Sequence, residues 1–117
     1  MTYEEYRKGL KIPPDAQQNA KDTVAFINDV MKSMPGELRV SSTVRDAKRN
    51  AQVGGVPNSK HLNTRAHAVD FMPIDGKFTK EREARLRTVC NRHEFGLLVH
   101  DVSTGLHYHC EYRGKKR

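Results

Sequence analysis

Two periodicities predict an α+β fold, a small antiparallel sheet with helices packed on one of its faces. Apolar residues recur three or four positions apart over residues 15–34 and 79–91, the spacing of one helix face. Four short stretches, 38–44, 66–72, 95–101 and 106–112, read as strands, and Ser103-Thr104-Gly105 between the last two is a hairpin signal. The 117 residues are expected to form one domain, 1–117, long enough to bury roughly two-thirds of the surface an unfolded chain exposes.

The elements follow in order. Thr2 with Glu5 three residues on is a capping box that starts a short helix, which Pro13-Pro14 must end. Asp15 is expected to cap the second helix, with Ala16, Ala20, Val24, Ile27, Met31 and Met34 as its buried stripe and Pro35-Gly36 as its stop. Leu38, Val40, Ser42 and Val44 share one face of a strand that delivers the chain to Arg45. A polar helical turn over 46–52 and a Gly- and Pro-containing loop over 53–58 lead into Ser59-Lys60-His61. In the second strand Asp70 alternates with His67, so the two should point opposite ways. Thr79 caps the last helix, which offers Ala84, Leu86, Val89 and Cys90 for burial.

Composition narrows the class. Hydrophobic content of 36% against 30% charged residues implies a small core and a heavily solvated surface. Met1 is followed by Thr2-Tyr3-Glu4-Glu5 with no apolar leader, and no stretch approaches the length of a membrane span, so the expected place of synthesis is a cytoplasm. Cys90 and Cys110 fall on apolar-patterned positions and read as buried reduced thiols; with no CxxC pair, cysteine ligation of a metal is not expected. A net charge of +7 and the ending Arg113-Gly114-Lys115-Lys116-Arg117 favour a polyanionic partner. Nucleic acid is disfavoured, since aromatics are 7% with no Trp and no reader motif appears.

The chemistry gathers at His61, at Asp70 nine residues later, and at His107-Tyr108-His109 near the end. Two neutral imidazoles and a carboxylate suit a catalytic zinc ion that keeps an open position. Alternation sets His107, His109 and Glu111 on one strand face, opposite Leu106, Tyr108, Cys110 and Tyr112. Buried, that row would need a partner to satisfy it. The pattern alone leaves open a metal or catalytic face, an exposed polar face, or hydrogen-bonded core histidines. His93 and His100 read as surface or supporting residues, and Ser59 as a loop hydrogen-bonder.

The run Ser42-Thr43-Val44-Arg45, Asn50, Val53-Gly54-Gly55-Val56-Pro57-Asn58-Ser59-Lys60-His61-Leu62 and Ala68-Val69-Asp70-Phe71 resembles the zinc peptidases that include D-Ala-D-Ala carboxypeptidases, D-Ala-D-Ala dipeptidases and phage L-Ala-D-Glu endolysins. Their pattern is S-x-H followed by G-x-A-x-D. His107-Tyr108-His109-Cys110 is similar to the H-x-H-C strand of the Hedgehog domain, which shares that fold. The resemblance implies His61, Asp70 and His109 as zinc ligands, His107 as an oxyanion donor, and Arg45 as the residue that binds substrate or polarises its carbonyl, with Ser59 beside the substrate. Asp101 is the nearest match to the catalytic carboxylate, with Glu111 as its competitor. The chain departs from the pattern in three places: two extra residues within 62–65, Ala66 in place of Gly, and an Asp101 displaced from the usual position of the carboxylate. A shift of ligand caused by the insertion would make His67 the alternative to His61.

The resemblance further implies a monomeric endolysin of a bacteriophage, held in the host bacterial cytoplasm until release. It would hydrolyse a stem-peptide bond of peptidoglycan, L-Ala-D-Glu ahead of D-Ala-D-Ala, with anionic wall polymers as partners of the basic surface. A non-catalytic zinc-binding module and a basic virion or nucleic-acid-binding protein are the alternatives.

Overall fold

The structure is a computed structural model that describes residues 1–102 and 105–114, with the side chains of 100–102 outside the description. Eight elements follow in order: α1 (Tyr3–Arg7), α2 (Pro14–Ser33), β1 (Leu38–Ser42), α3 (Ala47–Gln52), β2 (Ala68–Pro73), α4 (Lys80–Arg92), β3 (Phe95–Val102) and β4 (Gly105–Tyr112). The four strands form one antiparallel sheet in the order β1-β2-β4-β3. Because the β3–β4 hairpin folds back toward β2, the last strand lies beside the second. This insertion sets Asp70 directly opposite His109.

One sheet face carries Val69, Phe71, Leu97, Tyr108, Cys110 and Tyr112, which pack with Phe26, Ile27 and Val30 of α2 and Leu86, Val89 and Cys90 of α4 in a single apolar cluster. Phe26 is at its centre, stacked on Phe95 at 4.2 Å between ring centroids and edge-on to Phe71 at 6.1 Å. Phe26→Ala should lower unfolding stability by about 3–5 kcal/mol in a denaturant titration; a change below about 1 kcal/mol would show that the helix–sheet layer is not the core. Cys90 and Cys110 are buried free thiols with their sulfurs 3.9 Å apart. No helix among the described residues is long and apolar enough to cross a membrane.

Local differences from the sequence reading have clear causes. The Thr2–Glu5 capping box forms, but α1 stops at Arg7 because Lys8 and Gly9 enter the left-handed region, well before the prolines. Asp15 does not cap α2: Pro13 is the N-cap and Pro14 opens the helix, where its missing N–H costs nothing. The buried stripe of α2 turns to Thr23, Phe26 and Val30, leaving Val24 and Met31 partly buried. Thr23 tolerates this because its hydroxyl contacts the Asn19 and Ala66 carbonyls. Ala84 stays exposed on α4. The expected turn at Ser103-Thr104 and the last three basic residues lie outside the described residues.

The second strand starts at Ala68, not Ala66, because Ala66 has φ = +51°. An L-residue there costs about 1–2 kcal/mol, which explains why Gly suits this position. The Ala66 amide donates to the Leu62 carbonyl at 2.7 Å and holds the turn. The extra residues are taken up by this turn, and Leu62 forms a parallel bridge with Arg45 that ties the loop to the end of the β1 segment.

Candidate metal centre and flanking clefts

The sheet face opposite the helices carries Asp70 on β2 and His107, His109 and Glu111 on β4, and the loop ending in His61 closes over it. His61 Nε2, Asp70 Oδ1 and His109 Nδ1 converge: the pairwise distances are 3.1, 3.2 and 2.9 Å. Atoms about 2.0–2.1 Å from a tetrahedral zinc ion stand about 3.3–3.4 Å from one another, so the set fits such an ion with adjustments of a few tenths of an ångström.

The outer hydrogen bonds decide which nitrogens face inward. His61 Nδ1 donates to the Thr43 carbonyl at 2.7 Å, and His109 Nε2 donates to Glu111 Oε1 at 2.8 Å. In those tautomers both inward nitrogens present lone pairs toward a carboxylate oxygen, an arrangement that a cation must neutralise. This is the supporting layer expected around metal-binding imidazoles. Glu111 is further fixed by Lys60 Nζ, 3.3 Å from Oε2.

A proton can supply the same positive charge. Burial disfavours a charged His109, but hydrogen bonds to Asp70 and Glu111 outweigh it and push its pKa up to about 9. Burial likewise opposes an ionised Asp70, yet the His109 and His61 contacts hold its carboxyl well below the usual range. The His109 bond also brings Glu111 down to about 2. Since the folded His109 pKa lies above the unfolded value of about 6.5, the proton-bridged form stabilises the fold fully below that value and loses its effect as pH rises through about 9. Zinc and a proton therefore compete for His109. Loading at pH 7 should release about one proton per ion, measurable by calorimetry in buffers of different ionisation enthalpy; zero release would show that His109 is not displaced from its protonated state.

Two clefts meet at this set, sharing Arg45, Val53 and Asp70. The first, about 350 Å³, contains His107, Ser41, Lys8 and Arg49; the second, about 470 Å³, contains His61, His109, Glu111, Ser59, Val56 and Leu98. Val56 and Leu98 are exposed apolar side chains, 61% and 48% accessible, and give the second cleft a greasy wall. His107 is buried, its Nδ1 2.8 Å from Ser41 Oγ. Arg45 is half-buried, with Nη2 donating to Ser59 Oγ at 3.3 Å; the same hydroxyl accepts the His61 amide at 3.1 Å. Ser59 thus links the arginine to the ligand loop.

His67 points elsewhere: it stacks on Tyr112 at 4.2 Å, and burial with the nearby Lys60 and Arg65 charges lowers its pKa to about 4. His93 hydrogen-bonds through Nε2 to Asp29 Oδ2 of α2 at 2.8 Å. The backbone of Asp101 pairs with Leu106, whose row alternates with that of His107; the Asp101 and His100 side chains lie outside the described residues.

Several supporting residues escaped the sequence reading. Ser41, Thr43 and Lys60 act through hydrogen bonds or charge pairing from distant segments, which no local pattern signals. Thr43 and Lys60 stand in the runs that carried the resemblance without a role assigned to them, and so does Asn50. Asn50 is buried, donates to the Val56 carbonyl at 2.7 Å, and lies so close to Gly55 that a Cβ there would stand 2.2 Å from Asn50 Oδ1. It shapes the loop that borders the second cleft.

No curated protein and no solved structure matches the chain. A family model described as peptidase M15 matches residues 1–109, a span that takes in His61, Asp70 and His109 and leaves Glu111 just beyond. With nearly the whole chain matched, from α1 to the last potential ligand, the protein belongs to the zinc D-Ala-D-Ala carboxypeptidase-like peptidase M15 family.

Proposed function

We propose that the protein is a zinc-dependent peptidase of endolysin type that hydrolyses a stem-peptide bond of peptidoglycan, L-Ala-D-Glu ahead of D-Ala-D-Ala. The observation that carries this reading is the convergence of His61, Asp70 and His109 within 4.8 Å at the junction of two clefts, in a chain of the M15 family. The +7 charge suits an anionic wall. The reading includes accumulation in a host cytoplasm before release to the wall.

His61, Asp70 and His109 would hold the ion, which when bound supplies Lewis acidity toward a carbonyl and a water molecule. The remaining work belongs to the side chains. Arg45, fixed through Ser59 and present in both clefts, orients the scissile carbonyl. In the tautomer where the Ser41 hydroxyl donates to His107 Nδ1, Nε2 carries a proton that a developing oxyanion can accept. Asp101, assigned by the resemblance alone, takes a proton from water and returns it to the leaving amine.

The direct test is a peptidoglycan suspension treated with zinc-loaded and chelated protein, followed by turbidity and by free amino groups. Amine release that depends on zinc is the expected result. A protein that keeps one zinc and releases no amine would be a metal-binding module instead. Arg45→Ala should retain zinc and fold while losing at least about tenfold in kcat/KM, equivalent to about 1.4 kcal/mol of transition-state binding; unchanged kinetics would remove Arg45 from the site.

A further inference from the structure

The first cleft has a charge pattern that the proposed chemistry does not use. Lys8 reaches it from the left-handed C-cap of α1, φ = +51°, and Arg49 from α3, so two segments far apart in sequence bring cations to one 350 Å³ space beside Arg45. No ion pair engages Lys8 or Arg49 among the described residues. Arg45 and Arg49 lie close enough to repel each other, and Arg45 Nε is buried without a hydrogen-bond partner. The two carboxylates present have other tasks: Asp46 caps α3 by accepting the Arg49 amide, and Asp70 belongs to the metal set. Asp70 attracts Arg45, but Lys8 and Arg49 have no carboxylate partner among the described residues; such clustered cations are arranged as an anion site, and a guanidinium with an unused N–H favours an oxyanion of carboxylate shape.

We propose that Lys8 and Arg49, together with Arg45, form a subsite for a substrate carboxylate next to the scissile bond, which makes the enzyme selective for acidic stem peptides. This rests on the peptidase reading above and deepens it. The cleft starts at Asp70, so an acidic residue placed in it leaves the neighbouring peptide bond at the metal set. The second cleft, with Val56 and Leu98, would receive the less polar side.

The test uses the zinc-loaded full chain and two synthetic peptides, L-Ala-γ-D-Glu-L-Lys with a free D-Glu α-carboxylate and the same peptide with that group as a carboxamide. A charge-assisted hydrogen bond is worth roughly ten- to a hundredfold. The wild type should therefore favour the acid by at least about tenfold in kcat/KM, and the Lys8→Ala/Arg49→Ala variant should bring that ratio to within about threefold of one, chiefly through KM. Added salt should depress the acid's rate more than the amide's. A wild-type ratio near one overturns the subsite, as does a ratio that survives in the double variant, including the case where both rates fall together through damage to the fold. If neither peptide is cleaved, the peptidase reading is what fails. Calorimetric binding of the same two peptides then decides the subsite: an acid preference lost in the double variant supports it, and equal binding overturns it.

Discussion

His61→Ala should leave a folded protein that has lost most of its zinc and nearly all peptidase activity. His61 contributes one of three converging donors, and its ring is only 1% accessible, held in place by the Thr43 carbonyl. Removing it leaves two ligands, fewer than the three protein ligands that hold a catalytic zinc ion. The fold should survive because the apolar layer of Phe26, Phe71 and Tyr108 lies on the opposite sheet face. Asp70→Ala should have the same effect for a further reason: it takes the carboxylate from between two imidazoles and so removes the charge that draws a cation. His67→Ala is the control, since that ring stacks on Tyr112 away from the cluster. Zinc per chain by elemental analysis, with circular dichroism for the fold, separates the cases. Full occupancy in His61→Ala would end the assignment, and loss of zinc in His67→Ala would move it.

The sequence revealed this site unevenly, for physical reasons. Strand alternation is a local rule, and it correctly grouped His107, His109 and Glu111; His67 is apart from Asp70 for another reason, since it precedes the strand that begins at Ala68 and stacks on Tyr112. Helix starts at Thr2 and Thr79 were equally legible, because a cap is a contact between residues three apart. The adjacency of Asp70 and His109 was not local. It depends on the hairpin placing β4 between β2 and β3, which came into view only through the resemblance. Nor could periodicity foresee that His109 would turn Nδ1 inward, since Glu111 on the same row sets that choice. Residue size and satisfied polarity decided the rest: Phe26 and a doubly engaged Thr23 won the buried side of α2 over Val24 and Met31. The cations of the first cleft were invisible as a group, because Lys8 and Arg49 share no element.

Asp101→Asn and Glu111→Gln should separate proton transfer from metal positioning. Both oxygens of Glu111 are engaged, Oε1 by His109 and Oε2 by Lys60, and its pKa near 2 makes it a weak base. Its geometry is that of a group that fixes the His109 ring. Glu111→Gln should therefore weaken zinc by about 10–100-fold, as loss of such a partner does elsewhere, while kcat at saturating zinc stays within about tenfold of wild type. Asp101 has the opposite expectation, which comes from its place in the M15-like order of residues. Asp101→Asn should keep zinc and lose about 10²–10⁴ in kcat, the share of a general base. Zinc titrations and kcat measured at saturating metal give the two readouts independently. The register gives this test its force: the backbone of Asp101 pairs with Leu106, in the row that alternates with that of His107. If Asp101→Asn is silent while Glu111→Gln loses kcat even with zinc saturated, Glu111 is the base and the His109 contact is broken and remade during turnover.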